Sequence, residues 1–414
     1  MCVSLCAMKD YTPLYSHNLT VYSIEGFEPQ IIDSGYLKKL GVGFVPSDNT
    51  AEALFLGSGL FLKRFKERLL IPRPRYSVDE INPESIQKEV HNYTGKCPAL
   101  TWEINPVLGC GAGCQYCLVS DGVHEQSLIA HENYHLYVRR LLEEQNGPSS
   151  PNKRHYYYFS PKTEAFQEAT LLTGIAHRIL REFIAHFESF PESQARLFIA
   201  SKAGAEHLLV KDGDETILDL FSRLKERMQF NTSVSIMPDS FRDILEPYAA
   251  PLSERMRAVR LCREAGIPAN SALVQPIITP WLTQEHISGF FDELHENGII
   301  NYKPEFLTAC VENLAMLGQY LGYFDKTLEK QLYEDYLKPS NAGHRKQRGR
   351  IAPDKSRSIE CLERMMRYTD TLGMSVSICY WVRSQLGISE STIPVINRNG
   401  FQCLGYQSRL FQDK

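Results

Sequence analysis

Nowhere in the 414 residues is there an apolar run of the roughly 18 residues that a membrane-spanning helix needs. The opening MCVSLCAMKDYTPLY also lacks the basic and apolar segments of a secretory leader. A cytoplasmic protein with no membrane partner is the expectation. Charge of either sign is not in excess: 45 Lys and Arg face 49 Asp and Glu, a net of -4. Such a chain has no global attraction for phosphate backbones, which disfavours a nucleic-acid partner and favours an organic small molecule or a peptide. Internal repeats and low-complexity tracts are absent, so solenoids and disordered arrays are excluded. The 11 cysteines are odd in number and spread along a long chain, which argues against a disulfide framework and for thiols of which some bind metal.

What is present suffices for a large core, with 43% hydrophobic and 23% charged residues. Residues 1–95 carry ALFLGSGLFLKRF and the turn-rich IPRPRYSVDEINPE, and read as a cap or docking extension. Residues 96–308 alternate β-rich runs (WEINPVL, HYYYFS, RLFIAS, SVSIM, SALVQPII, YKPEFLT) with helical stretches such as EATLLTGIAHRILREFIAHF and SERMRAVRLCREAGI. Six strands with intervening helices predict an α/β fold, a partial (β/α)6 barrel whose chemistry sits at the carboxyl ends of the strands. Residues 309–414 read as a helical region that covers the substrate. Its basic stretch His344–Arg350 reads as a solvated loop, with a phosphate contact as the minority view.

Directly after the first strand comes NPVLGCGAGCQYCLV, a C-x3-C-x2-C triad of Cys110, Cys114 and Cys117. Three thiolates on one short loop can ligate three irons of a cubane and leave the fourth iron open. Gly109, Gly111 and Gly113 give the loop its conformational freedom. A structural zinc site is the weaker reading, because a second C-x2-C or C/H pair is missing at the usual spacing.

At these residues the sequence resembles the radical S-adenosylmethionine (SAM) superfamily, and within it spore photoproduct lyase and its relatives. The resemblance runs from about Trp102 to Thr279. It includes the triad, FSPKTEAFQE (similar to the family's S-x2-T-D-x-Y-Q), IASK, SVSI, LEPYAAPLSERMRA and QPII. It implies a 4Fe-4S cluster and SAM as cofactors, with Tyr116 near the adenine. It places Ser160, Lys202 and Ser235 against the ribose or the methionine carboxylate. An electron donor such as flavodoxin or ferredoxin is implied as a partner. The implied activity is cleavage of SAM to a 5′-deoxyadenosyl radical that abstracts hydrogen from an organic substrate. Glu246 and Arg255 read as a structural salt bridge. In spore photoproduct lyase a cysteine just before the second-strand serine returns a hydrogen atom to the product; here that position is Phe159, which disfavours a DNA-lesion lyase. A non-catalytic iron–sulfur or zinc module is the alternative of another class, and it would not need Ser160 and Lys202 at strand ends. A cobalamin-binding pattern and a tight cysteine-rich tail are both missing.

Cys310, just past the sixth strand, is a candidate hydrogen-atom donor or substrate contact, against a buried small hydrophobe. Alternation puts Tyr156, Tyr158 and Ser160 on one strand face, so Tyr158 is a candidate lining residue of the substrate cavity, against core packing. Cys361, Cys379 and Cys403 are too widely spaced for an auxiliary cluster. His124, His131 and His135 follow the triad on an expected helix and read as solvated or capping residues rather than as a metal pair.

Overall fold

The strand residues divide cleanly between two faces, one polar and aromatic, the other almost wholly apolar, and this division sets the architecture. The computed structural model describes residues 75–89, 101–114, 116–117, 127–150, 153–238, 241–242, 245–246, 248–279, 282–309, 325–336 and 352–379, with isolated positions at 314, 317–318, 321, 382–383 and 386–387. His124, Cys310, His344–Arg350 and Cys403 lie outside the described residues.

The first half contains β1 (Arg75–Asp79), β2 (Thr101–Ile104), β3 (Val107–Leu108), β4 (Ser127–His131), α1 (Tyr134–Asn146), β5 (Tyr156–Phe159), α2 (Glu168–Leu171), α3 (Ile175–Ser189) and β6 (Arg196–Ser201). Then follow α4 (Ala205–Leu208), β7 (Lys211–Asp212), β8 (Glu215–Thr216), α5 (Ile217–Leu224), β9 (Met228–Val234), α6 (Leu252–Glu264), β10 (Ser271–Ile277), α7 (Gln284–Glu296), β11 (Asn301–Phe306), α8 (Lys326–Tyr336), α9 (Lys355–Thr371) and β12 (Ser375–Val376).

Seven strands form one sheet in the order β12-β11-β10-β9-β6-β5-β2, every pair parallel. Helices connect the strands, as parallel pairing demands. A smaller sheet, β1-β4-β3, joins residues 75–79 to the segments that flank the cysteine loop. Among the described residues no helix is long and apolar enough to cross a membrane.

Register shows which side chains share a face. Tyr158 pairs with Glu103 on one side and Phe198 on the other, and Phe198 pairs with Gln229. One residue row on, Asn231 pairs with Ser271, Ser271 with Asn301, and Asn301 with Ser375. These residues line the concave interior, where Tyr156, Tyr158, Phe198, Ala200 and Leu273 make a small apolar cluster of their own. The alternate residues, among them Ile104, Tyr157, Phe159, Leu197, Ile199, Phe230, Val274 and Tyr302, enter the main core with the helices. Helix α3 shows how a helix meets that face: Ile175, Ile179, Leu180, Phe183 and Ile184 recur at helical spacing and are all buried.

The polar interior explains one departure from expectation, and two others stand beside it. The fourth barrel strand runs over Met228–Val234 rather than Ser233–Met237, because its inward Gln229, Asn231 and Ser233 dilute the apolar signal of a strand. A seventh strand, β12, comes from the carboxyl-terminal region and is only two residues long. His131 ends strand β4 instead of lying on a helix, so it shares no helix face with His135.

Candidate functional site

The cysteine loop connects β3 to β4 at the carboxyl end of β2. Gly109 and Gly113 have φ of 83° and 65°, the left-handed region that favours glycine. Cys114 is buried, Cys110 and Cys117 are half-buried, and the Cys117 amide donates to the Cys114 carbonyl at 3.1 Å. Two other segments grip the loop. From the β5–α2 connection, the Glu164 amide donates to Cys110 Sγ at 3.3 Å, and Gln167 Oε1 accepts from the Gly111 amide at 2.6 Å. From the other side, the Tyr248 amide donates to the Ala112 carbonyl at 3.3 Å.

Burial, with Cys117 nearby, pushes the Cys110 thiol up to about 12, and burial pushes Cys114 well above the ordinary thiol value. These thiols stay protonated unless a metal displaces the proton, as metals do at thiolate ligands. Among the described residues no three His, Cys, Asp or Glu side chains converge as ligands of a single ion. A cubane gives each thiolate its own iron, so the thiols around it are spread rather than convergent.

The strand ends beside this loop carry the polar groups. Ser160 has φ 54°, and its buried Oγ lacks a hydrogen-bond partner among the described residues. Such an orphan is free to donate or accept a hydrogen bond at the strand end. Lys202 follows β6; its Nζ is 3.0 Å from Glu246 Oε1 and 5.6 Å from the centre of the Tyr116 ring. Ser235 follows β9 and donates to the Gln275 carbonyl at 3.4 Å.

Glu246 is the hub beneath them. It accepts from the Tyr116 hydroxyl and pairs with Lys202, with the wholly buried Arg255 and, at 3.8 Å, with Arg242. Burial alone would raise the Glu246 carboxyl; Arg255, Lys202 and Arg242 outweigh it and hold the group far below the usual carboxylate range. Arg255 also donates from Nε to the Ala250 carbonyl at 2.7 Å and from a terminal nitrogen to the Ser233 carbonyl at 3.0 Å. The expected Glu246–Arg255 salt bridge is present, and it extends to the aromatic residue between two of the cysteines. Glu246 thus gathers three cations beneath the cysteine loop, of which Lys202 lies nearest Tyr116.

The structure thus gathers Cys110, Cys114, Cys117, Tyr116, Ser160, Lys202 and Ser235 around one end of the sheet. Tyr158 lies in the interior with its ring edge-on to Phe198 at 4.5 Å. Phe159 points the other way, into the helix-facing core against Phe166. A side chain at position 159 does not reach the interior, so its identity carries no argument about a hydrogen-atom donor there. Cys361 is buried on α9, where burial pushes its thiol up to about 11.

Two residues of the site had no assigned role in the sequence reading, Glu164 and Gln167. Their signal was in plain view, since both stand in FSPKTEAFQE, one at the acidic position and one at the glutamine of the similar motif.

No family model matches the chain. An uncharacterized protein of Acidianus two-tailed virus is 23% identical over 284 residues, which is 64% of this chain and 87% of the relative. An uncharacterized protein of Methanocaldococcus jannaschii is 22% identical over 197 residues, 47% of this chain and 67% of the relative. Among solved structures, a cysteine-to-alanine mutant of spore photoproduct lyase superposes with a TM-score of 0.50 at 14% identity, over 73% of this chain and 81% of that one. The two chains share a fold.

Proposed function

We propose, from a chain whose fold is the partial barrel of radical SAM enzymes, that this protein is one of them. It binds a 4Fe-4S cluster through Cys110, Cys114 and Cys117 and uses it to cleave SAM. The observation that carries this reading is the placement of three thiols, on one loop gripped from both sides, at the strand ends that also hold Ser160, Lys202 and Ser235. When bound, the cluster supplies an open iron and one electron, which release from SAM a 5′-deoxyadenosyl radical able to abstract hydrogen.

The residues around that position bind and orient. Lys202 offers its ammonium to the methionine carboxylate while Glu246 keeps it in place. Ser160 Oγ, lacking a partner, suits a ribose hydroxyl. The phenol of Tyr116 is tied to Glu246, which leaves its ring beside the nucleoside position. Tyr158 lines the interior where an organic substrate, a small molecule or a peptide, would lie below the radical. An electron donor such as flavodoxin or ferredoxin completes the cycle.

The test is anaerobic reconstitution with iron and sulfide, then dithionite and SAM, with 5′-deoxyadenosine quantified by chromatography. Formation by the wild-type chain and its loss in Cys114→Ala is the expected result. Lys202→Ala keeps the cluster and weakens SAM binding at least about tenfold, the scale of one lost charge-assisted bond. A wild-type chain with neither a cluster spectrum nor the nucleoside overturns the proposal and returns the triad to a binding role.

A further inference from the structure

We propose that Glu164 and Gln167 are positioning residues, a two-point clamp on Cys110 that sets the reduction potential of the cluster. The inference rests on the cluster reading above. Both bonds of the clamp bracket the same residue: the Glu164 amide reaches the Cys110 sulfur at 3.3 Å, and Gln167 takes the next amide, that of Gly111, at 2.6 Å.

The aim of the Glu164 amide is itself held. The Glu164 carboxylate accepts from the Phe166 amide at 3.1 Å, from the Lys202 amide at 2.7 Å and from the Ser201 hydroxyl. Two of those donors stand at the end of β6, so the β5–α2 connection is pinned to the neighbouring strand and cannot swing its N–H away from the sulfur. Gln167 is 5% exposed, and a Cβ at position 111 would lie 3.1 Å from its Oε1, so the close approach depends on glycine there. An amide in this place keeps the acceptor without adding a second buried negative charge beside a thiolate.

Hydrogen bonds to cluster sulfurs withdraw electron density and raise the reduction potential. A residue that only braces the loop alters cluster content or unfolding temperature, whereas a residue that aims a donor at sulfur also alters the potential of clusters that do form.

The experiment is an EPR-monitored redox titration of the anaerobically reconstituted full chain, with iron content and unfolding temperature measured on the same samples. Glu164→Gln, which keeps the side-chain shape and one acceptor oxygen, and Glu164→Ala, which removes both, are compared with wild type. Gln167→Leu removes the acceptor at similar volume. The expected result is a negative shift in Gln167→Leu against wild type and, between the two variants that equally lack the Glu164 charge, a more negative midpoint in Glu164→Ala than in Glu164→Gln, all read on the loaded fraction. A wild-type midpoint in Gln167→Leu together with equal midpoints in Glu164→Gln and Glu164→Ala overturns the proposal. Folded variants that take up no cluster at all also overturn it, since the clamp would then serve assembly and not tuning. A wild-type chain that forms no cluster refutes the proposed function instead, an outcome distinct from both.

Discussion

Arg255 is wholly buried, and Glu246 is its only carboxylate partner among the described ion pairs. Glu246→Ala would leave that guanidinium without its carboxylate and take the same carboxylate from Lys202. The expected loss is about 3–5 kcal/mol in chemical denaturation, the scale for breaking a buried pair from one side. Tyr116→Phe removes one hydrogen bond from a carboxylate that keeps its cations, and about 1 kcal/mol is expected from the same measurement. The Glu246 carboxyl is depressed in the fold, so its contribution is complete above the ordinary glutamate range and falls away only in strong acid. At this scale the pairing of Glu246 with Arg255 was readable, because Arg255 stands nine residues after Glu246, in the first turn of helix α6. The Tyr116 contact was not, because it joins positions 130 residues apart.

Among the elements, the cysteine loop depends on its backbone. Gly113 at φ 65° admits alanine only with strain of about 1–2 kcal/mol, so Gly113→Ala is expected to lower iron bound per chain while leaving the barrel folded by circular dichroism. Helix α5 is a contrasting case: the Thr216 hydroxyl accepts from the Asp219 amide at 3.1 Å, and the Asp219 carboxylate accepts from the Thr216 amide at 2.9 Å. Thr216→Ala removes that cap for about 1 kcal/mol and leaves cluster content unchanged. The helices were readable from their 3.6-residue period. Strand β9 was partly missed because every second residue, Gln229, Asn231 and Ser233, faces a polar interior and so mimics a loop.

At the scale of the molecule, burial lowers five histidines among the described residues below their ordinary value: His131, His135, His155, His177 and His186. The fold therefore favours their neutral forms. Protonation stabilises the unfolded chain first, so stability is complete above about pH 6.5 and declines as pH falls. His186 sits 6% exposed against Ser193 and drops from 6.5 to about 4. Stability is lost between those pH values as the fold resists protonating it. Unfolding temperature measured from pH 7 to 4 should fall over that window, and His186→Asn should flatten the profile.

The sequence by itself determined the chemistry of the donors and the class of the fold. Ligand spacing within one loop and the alternation of strand and helix are local properties, written in a few consecutive residues. Only the tertiary structure decided which distant groups serve that loop: Glu164 and Gln167 on one side, Glu246, Arg242 and Arg255 beneath it, and the orientation of Phe159 away from the interior. Those relations arise where parallel strands bring their carboxyl ends together, and strand register, which no short stretch of sequence specifies, sets which side chains meet there.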